Sequence, residues 1–242
     1  IDDFHGIDVI KVKHTQSLSK KLFNIEHYLM IPLMFSLSFF VYYDRGGLAS
    51  ALDALQEQSL HDNAFQSGAV AACYLFGYCF TSPIFALLGS KHPPLKMSAI
   101  GMAVWCVGAF MTGWPGPSFM SQFVWLAGSR LLTGIGEASF LAFAGTIIDI
   151  IAPDASRSLW LGTFYMGIPL GYAMGYAIGG TIADMSIYVV DDCNEQWFDK
   201  NPDVDNCNES WRAIFITETF LVLPLCFLLY CIKQPPNMLI IK

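Results

Sequence analysis

Charge is scarce in this chain: 14% of its residues are Asp, Glu, Lys or Arg, against 54% hydrophobic ones, and its mean hydropathy is +0.47. A soluble domain carries about 25% charged residues, so the shortage excludes an ordinary water-soluble fold and places the chain in a membrane. Basic residues number only 13 in 242, and no patch of them is interleaved with aromatics, which excludes nucleic acid as a partner. No Ser/His pair, facing aspartates or metal-ligand spacing occurs, so neither an intramembrane enzyme nor a metal or other cofactor is expected. A cleavable leader is not expected either, because the first 27 residues are polar and the apolar run after them is too long for one.

What is abundant is length of apolar sequence. Runs able to cross about 30 Å of hydrocarbon cover residues 28–52, 65–88, 97–114, 122–150, 158–184 and 211–232. The expected fold is all-α and polytopic: a cytoplasmic arm over 1–27, a six-helix bundle over 28–232 with an outer loop at 185–210, and 233–242 as a linker or a truncated end. Pro115 and Pro117 stop the third run and make it the shortest. Nine of the 13 basic residues (Lys11, Lys13, Lys20, Lys21, Lys91, Lys96, Arg157, Lys233 and Lys242) fall on one side of this arrangement. The 184–210 connection sets eight acids against the single Lys200. By the positive-inside rule both termini of this segment are cytoplasmic, and the net charge of −7 reflects one acidic outer loop. Five of the seven cysteines lie in or beside the spans as small apolar residues. Cys193 and Cys207 share the outer loop, where oxidising conditions favour a disulfide, and Asn208-Glu209-Ser210 is a glycosylation sequon.

The most informative stretch runs from Gly128 to Ser139, because it places Arg130 and Glu137 inside an apolar run. Each such charge costs about 2.5 to 3.5 kcal/mol at a helix centre, so each implies a function and a partner. Seven residues apart, they share one helix face with Gly134. The fifth run carries Gly167, Gly171, Gly175 and Gly179 along one face, a ridge that lets another helix approach, while Pro169 removes a helix hydrogen bond. Glycines, a helix-interrupting proline and mid-span charges together are the habit of transport folds.

On these residues the sequence resembles the major facilitator superfamily, and within it the Spinster-like lipid transporters. Arg130-x-x-x-Gly134-x-x-x-Ala138 is similar to the superfamily's fourth-helix motif, and Gly136-Glu137-Ala138-Ser139 to its Spinster-like continuation. Asp149, Asp154, Arg157, Ser158, Ile168-Pro169, Gly175-Tyr176 and Trp211-Arg212 follow in order, and Tyr43-Asp44-Arg45 looks like the family's first-helix Asp-Arg pair. Departures are Ala86 where the family has glycine and Ser90 where it has the gate-latching aspartate. Glu218, deep in the sixth run, has no counterpart in that pattern; it is either a private coupling site or a partner of Ser and Thr groups.

The resemblance implies two six-helix halves with substrate between them, and only the first half is present, so a second half must come from a longer chain or from a partner. A truncated chain is the first expectation and a dimerising half-transporter the second. Burial disfavours an ionised carboxylate and a nearby guanidinium favours it, a competition suited to a switch. Asp44 and Glu137 are therefore expected to exchange protons, with Arg45 and Arg130 as movable counter-charges and Arg130 suited to an anionic head group. The cargo implied by resemblance is a lysophospholipid or sphingoid phosphate in a plasma or endolysosomal membrane. Asp149 and Arg157, near the cytoplasmic edge, suit capping and gate contacts. Two competing readings remain: a carrier of a sugar or organic anion, against which the few amides in the spans argue, and a non-transporting scaffold or receptor.

Overall fold

The computed structural model describes residues 29–56, 64–89, 92–117, 120–184, 189–190, 207–208 and 210–232. They form six α-helices: α1 over 29–56, α2 Ala64–Gly89, α3 Pro94–Gly113, α4 Gln122–Ile151, α5 Arg157–Asp184 and α6 Arg212–Cys231, with one 3-10 turn at Asp154–Ser156 before α5. By length and composition α2, α3, α4 and α6 suffice to cross a membrane. Glycine and tyrosine dilute the hydropathy of α5, and Asp44, Arg45 and Asp53 that of α1, though each is 28 residues long. One departure from an all-helical chain is a short antiparallel pair, β1 Val189–Val190 with β2 Cys207–Asn208, Val189 opposite Asn208. Cys193, Ser90, the 1–27 arm, the 233–242 end and the side chains of Cys207 and Asn208 lie outside the described residues.

Helix ends follow local chemistry. Proline fits the first helical position because it has no N–H to leave unbonded, so α3 begins at Pro94, three residues before the expected start. It stops at Trp114, in extended conformation ahead of Pro115, as the steric restriction on residues before proline demands. Ser121 caps α4 by accepting the Val124 N–H at 3.4 Å, and Ala152 ends it ahead of Pro153.

Small residues set the helix contacts. A Cβ at Gly134 would overlap the Tyr74 carbonyl of α2, and one at Gly136 would press on Gly101 and Trp105 of α3, so α4 touches a neighbour on both sides through backbone. The α5 ridge meets α1: Gly167 faces Phe35 and Ser38, Gly171 faces Phe39, and Gly175 faces Tyr43. Hydroxyls add cross-links, Thr112 to Ser129 at 2.9 Å and Ser139 to the Met97 carbonyl at 2.8 Å, both joining α3 to α4.

Two apolar clusters result. One gathers Met30 to Val41 of α1, Leu95 to Ala109 of α3, Phe140 to Ile151 of α4 and Val222 to Leu229 of α6. The other holds Tyr43, Leu48, Ala51, Leu55, Val70, Leu126, Trp211, Ile214 and Phe215. Where the two clusters meet, α1 carries Asp44 and Arg45, α4 carries Arg130 and Glu137, and α6 carries Glu218 among uncharged sequence neighbours. Large apolar side chains on the outer faces of α2, α5 and α6, among them Phe80, Met166 and Phe227, are exposed, as a lipid or protein neighbour requires.

Candidate functional site

The layer between the apolar clusters lies near the middle of α1, α4 and α6 and contains Asp44, Arg45, Arg130, Glu137 and Glu218. Four of the five are shielded from solvent, with exposures of 2% for Asp44 and 1% each for Arg130, Glu137 and Glu218. Burial at this level demands partners, since a lone charge in a low-dielectric interior costs several kcal/mol.

Adjacent residues on α1 supply them. Arg130 directs Nη1 at both oxygens of Asp44, at 2.9 and 2.8 Å. Arg45 donates Nη2 to Oε1 of Glu137. Helical geometry turns successive side chains by about 100°, so Asp44 and Arg45 can serve two different positions on α4. The result is a pair of ion pairs of opposite sense between α1 and α4, each helix giving one acid and one base. Arg130 and Glu137, two turns apart on one face, do not pair with each other.

Aromatic rings complete the setting. The Arg45 guanidinium carbon sits 4.5 Å from the ring centroids of both Tyr42 and Tyr74, and that of Arg130 sits 4.4 Å from Phe215. Cation–π contact of this kind stabilises a desolvated guanidinium by up to about 2 kcal/mol. Tyr42, Tyr74 and Phe215 were not singled out from sequence. The signal available was slight: Tyr42 lies two residues before Asp44, and Tyr74 and Tyr78 repeat at helical spacing on α2.

Hydrogen bonding in the layer is incomplete. Arg130 keeps Nε and Nη2 buried without an acceptor, Arg45 keeps Nε, and both carboxyl oxygens of Glu218 lack a donor. Glu218 faces Asp44 within hydrogen-bonding range and lies near Arg130. It therefore neighbours charged groups; Thr217 and Thr219 beside it donate to carbonyls of their own helix.

The remaining expected residues fall elsewhere. Arg157 reaches Asp149 at 3.4 Å and Asp154 at 3.0 Å, on the solvent-facing turn between α4 and α5 and away from the charged layer. Gly134, Gly167, Gly171 and Gly175 lie at helix contacts, and Pro169 lies inside α5 between two of them. Among the described residues no group of three or more His, Cys, Asp or Glu could hold a metal ion.

Comparison with known proteins agrees with this architecture. Residues 34–240 match the Major Facilitator Superfamily. A probable sphingolipid transporter, spinster homolog 1 of Arabidopsis thaliana, is 31% identical over 195 residues, covering 81% of this chain and 34% of the relative. The chain thus spans about a third of the length of the curated relatives it matches, 34% and 29% for two of them. Among solved structures, the inward-open xylose transporter XylE from E. coli overlays with a TM-score of 0.71 at 16% identity, over 88% of this chain and 50% of that one. A bacterial homolog to the human lysosomal transporter Spinster, inward-facing and unoccupied, gives 0.69 at 17% identity, over 88% and 44%. At such identity the structural likeness speaks for the fold alone. These relatives are transporters rather than enzymes, and the buried charges, glycine contacts and order of helices fit the same assignment. The chain is a multi-pass membrane protein that belongs to the Major Facilitator Superfamily.

Proposed function

We propose that this chain forms one six-helix wall of a proton-coupled carrier that moves an amphiphile with an anionic or zwitterionic head, a lysophospholipid or sphingoid phosphate, by alternating access. The observation that carries the reading is the buried charged layer with unpaired donors: Arg130 keeps Nε and Nη2, and Arg45 keeps Nε, without acceptors. A guanidinium with free donors in a dry interior suits a phosphate or carboxylate head, and nearby aromatic and apolar side chains suit an acyl chain. Asp44 and Glu137 exchange protons as access changes, and Arg130 and Arg45 release or recapture them as counter-charges. Similarity to proteins named as probable sphingolipid transporters supports this cargo class. The second wall comes from a further six helices, whether in a longer chain or in a partner.

The α1–α5 contact through Gly167, Gly171 and Gly175 then serves as a sliding surface, with Gly134 its counterpart between α4 and α2 and Pro169 permitting α5 to bend. Asp149 and Arg157 act at the cytoplasmic gate. Both ends of the segment face the cytoplasm of a plasma or endolysosomal membrane, with residues 1–27 as an arm and 233–242 leading onward. A Cys193–Cys207 disulfide and a glycan at Asn208 mark the opposite side, which non-reducing peptide mapping and a glycosidase mobility shift test directly.

The function is tested by uptake of labelled lysophosphatidylcholine and sphingosine 1-phosphate into proteoliposomes holding the full-length protein, with an imposed proton gradient, for wild type and Glu137→Gln. Gradient-driven uptake lost in the variant is the expected result. Folded protein that carries neither lipid would sink the reading and turn attention to sugars or organic anions.

A further inference from the structure

Counting charge in the central layer leaves an excess of one acid. Arg45 balances Glu137. Arg130 alone must balance Asp44 and Glu218, and all three residues are at most 2% exposed. The Glu218 carboxyl stands in hydrogen-bonding range of Asp44, yet neither of its oxygens has a donor. Besides Asp44 and Arg130, the titratable groups near Glu218 among the described residues are Tyr43 of α1 and Cys106 of α3. None of these is a cation other than Arg130. Two carboxylates in contact repel, and a net buried charge costs several kcal/mol; one proton between them removes both penalties.

We propose that Asp44 and Glu218 form a carboxyl pair that takes up a single exchangeable proton, so that α6, together with α1 and α4, carries the ion-coupling chemistry. The inference deepens the transport reading of this layer and rests on it for its biological meaning. Protonated, Glu218 donates to Asp44 while Asp44 keeps Arg130. With the proton released to water, Glu218 competes with Asp44 for Arg130, whose Nε and Nη2 are buried without acceptors. Proton binding thereby chooses which helix, α1 or α6, holds the α4 guanidinium.

The experiment is infrared difference spectroscopy of the full-length protein in lipid nanodiscs, titrated with pH in the absence of cargo and repeated at fixed pH with added sodium. Wild type is expected to show a protonated-carboxyl band that shifts in deuterated water and disappears as pH rises. Glu137→Gln, which removes the separate Glu137 carboxyl, is expected to keep a titrating band, and Glu218→Gln in that background to lose it. The amide of Glu218→Gln can still donate to Asp44, so this variant should melt like wild type; Glu218→Asp, which keeps a carboxyl, should retain a titrating band at a shifted frequency. A band unchanged by Glu218→Gln in that background overturns the proposal, and so does a band displaced by sodium at constant pH, which would make the site a metal-cation site. Because the readout needs no cargo, a failed uptake assay beside an intact Glu218 band defeats the transport reading and leaves the carboxyl pair standing.

Discussion

Replacing Asp44 by alanine tests the central layer most severely. The substitution removes both acceptors of Arg130 Nη1, the only hydrogen bonds its guanidinium makes among the described residues. What stays is the Phe215 ring at 4.4 Å and the nearby Glu218 carboxyl. Breaking a buried pair by deleting one partner destabilises by about 3 to 5 kcal/mol, because the other charge stays desolvated. Glu218, freed from Asp44, can turn to Arg130, so the single variant should fall near the lower end, about 3 kcal/mol. Glu218→Gln alone should be mild, under about 1.5 kcal/mol, since the amide still donates to Asp44. The double variant removes both carboxylates that neighbour Arg130, Asp44 and Glu218, and should exceed the sum of the singles by about 1 to 2 kcal/mol, within the range seen for residues sharing one network. Denaturation in detergent micelles, followed by tryptophan fluorescence and extrapolated to zero denaturant, measures all four corners of the cycle. A double variant that loses less than about 1 kcal/mol, the worth of a solvated surface pair, would refute the claim that this layer is dry and that Glu218 belongs to it.

Other outcomes follow from the same geometry. Gly175→Leu drives a side chain into the backbone of Tyr43 and should cost about 3 kcal/mol or more, read as loss of monodisperse protein on size exclusion, whereas Gly162→Ala, with open space around it, should elute like wild type; equal behaviour of the two would discredit the α1–α5 contact. Arg157→Ala removes contacts to Asp149 and Asp154 that are solvent-exposed and should shift stability by no more than about 1 kcal/mol; a larger loss in denaturant titration would mean that this turn is buried by something else. A lipid-soluble maleimide should label the exposed Cys79 and Cys231 in the folded protein and reach the buried Cys106 and Cys226, whose sulfurs lie 3.7 Å apart, only after unfolding. Labelling of Cys106 in native nanodiscs, detected by peptide mass spectrometry, would contradict the α3–α6 packing.

The residue pattern alone set the membrane class, the order of the six helices and most of their ends, because apolar length and proline placement act locally. Pro115 and Pro153 stop helices whatever surrounds them, and the first run overshot its expected end, reaching residue 56 in place of 52, for want of such a stop. It also identified Asp44, Arg45, Arg130, Glu137 and Glu218, since a charge within an apolar run stands out without any knowledge of its neighbours. Which charges meet was beyond its reach. Arg130 and Glu137 share a face, and that alone invites pairing along α4; only the packing of α1 against α4 assigns Arg130 to Asp44 and Arg45 to Glu137. The glycine ridge of α5 announced a close contact but not the partner, and the backbone of α1 supplies it. Glu218 shows the division most clearly. Its cost was legible from one residue type in one apolar run, while its neighbours Asp44 and Arg130 lie 174 and 88 positions earlier in the chain and are brought beside it only by the assembly of three helices.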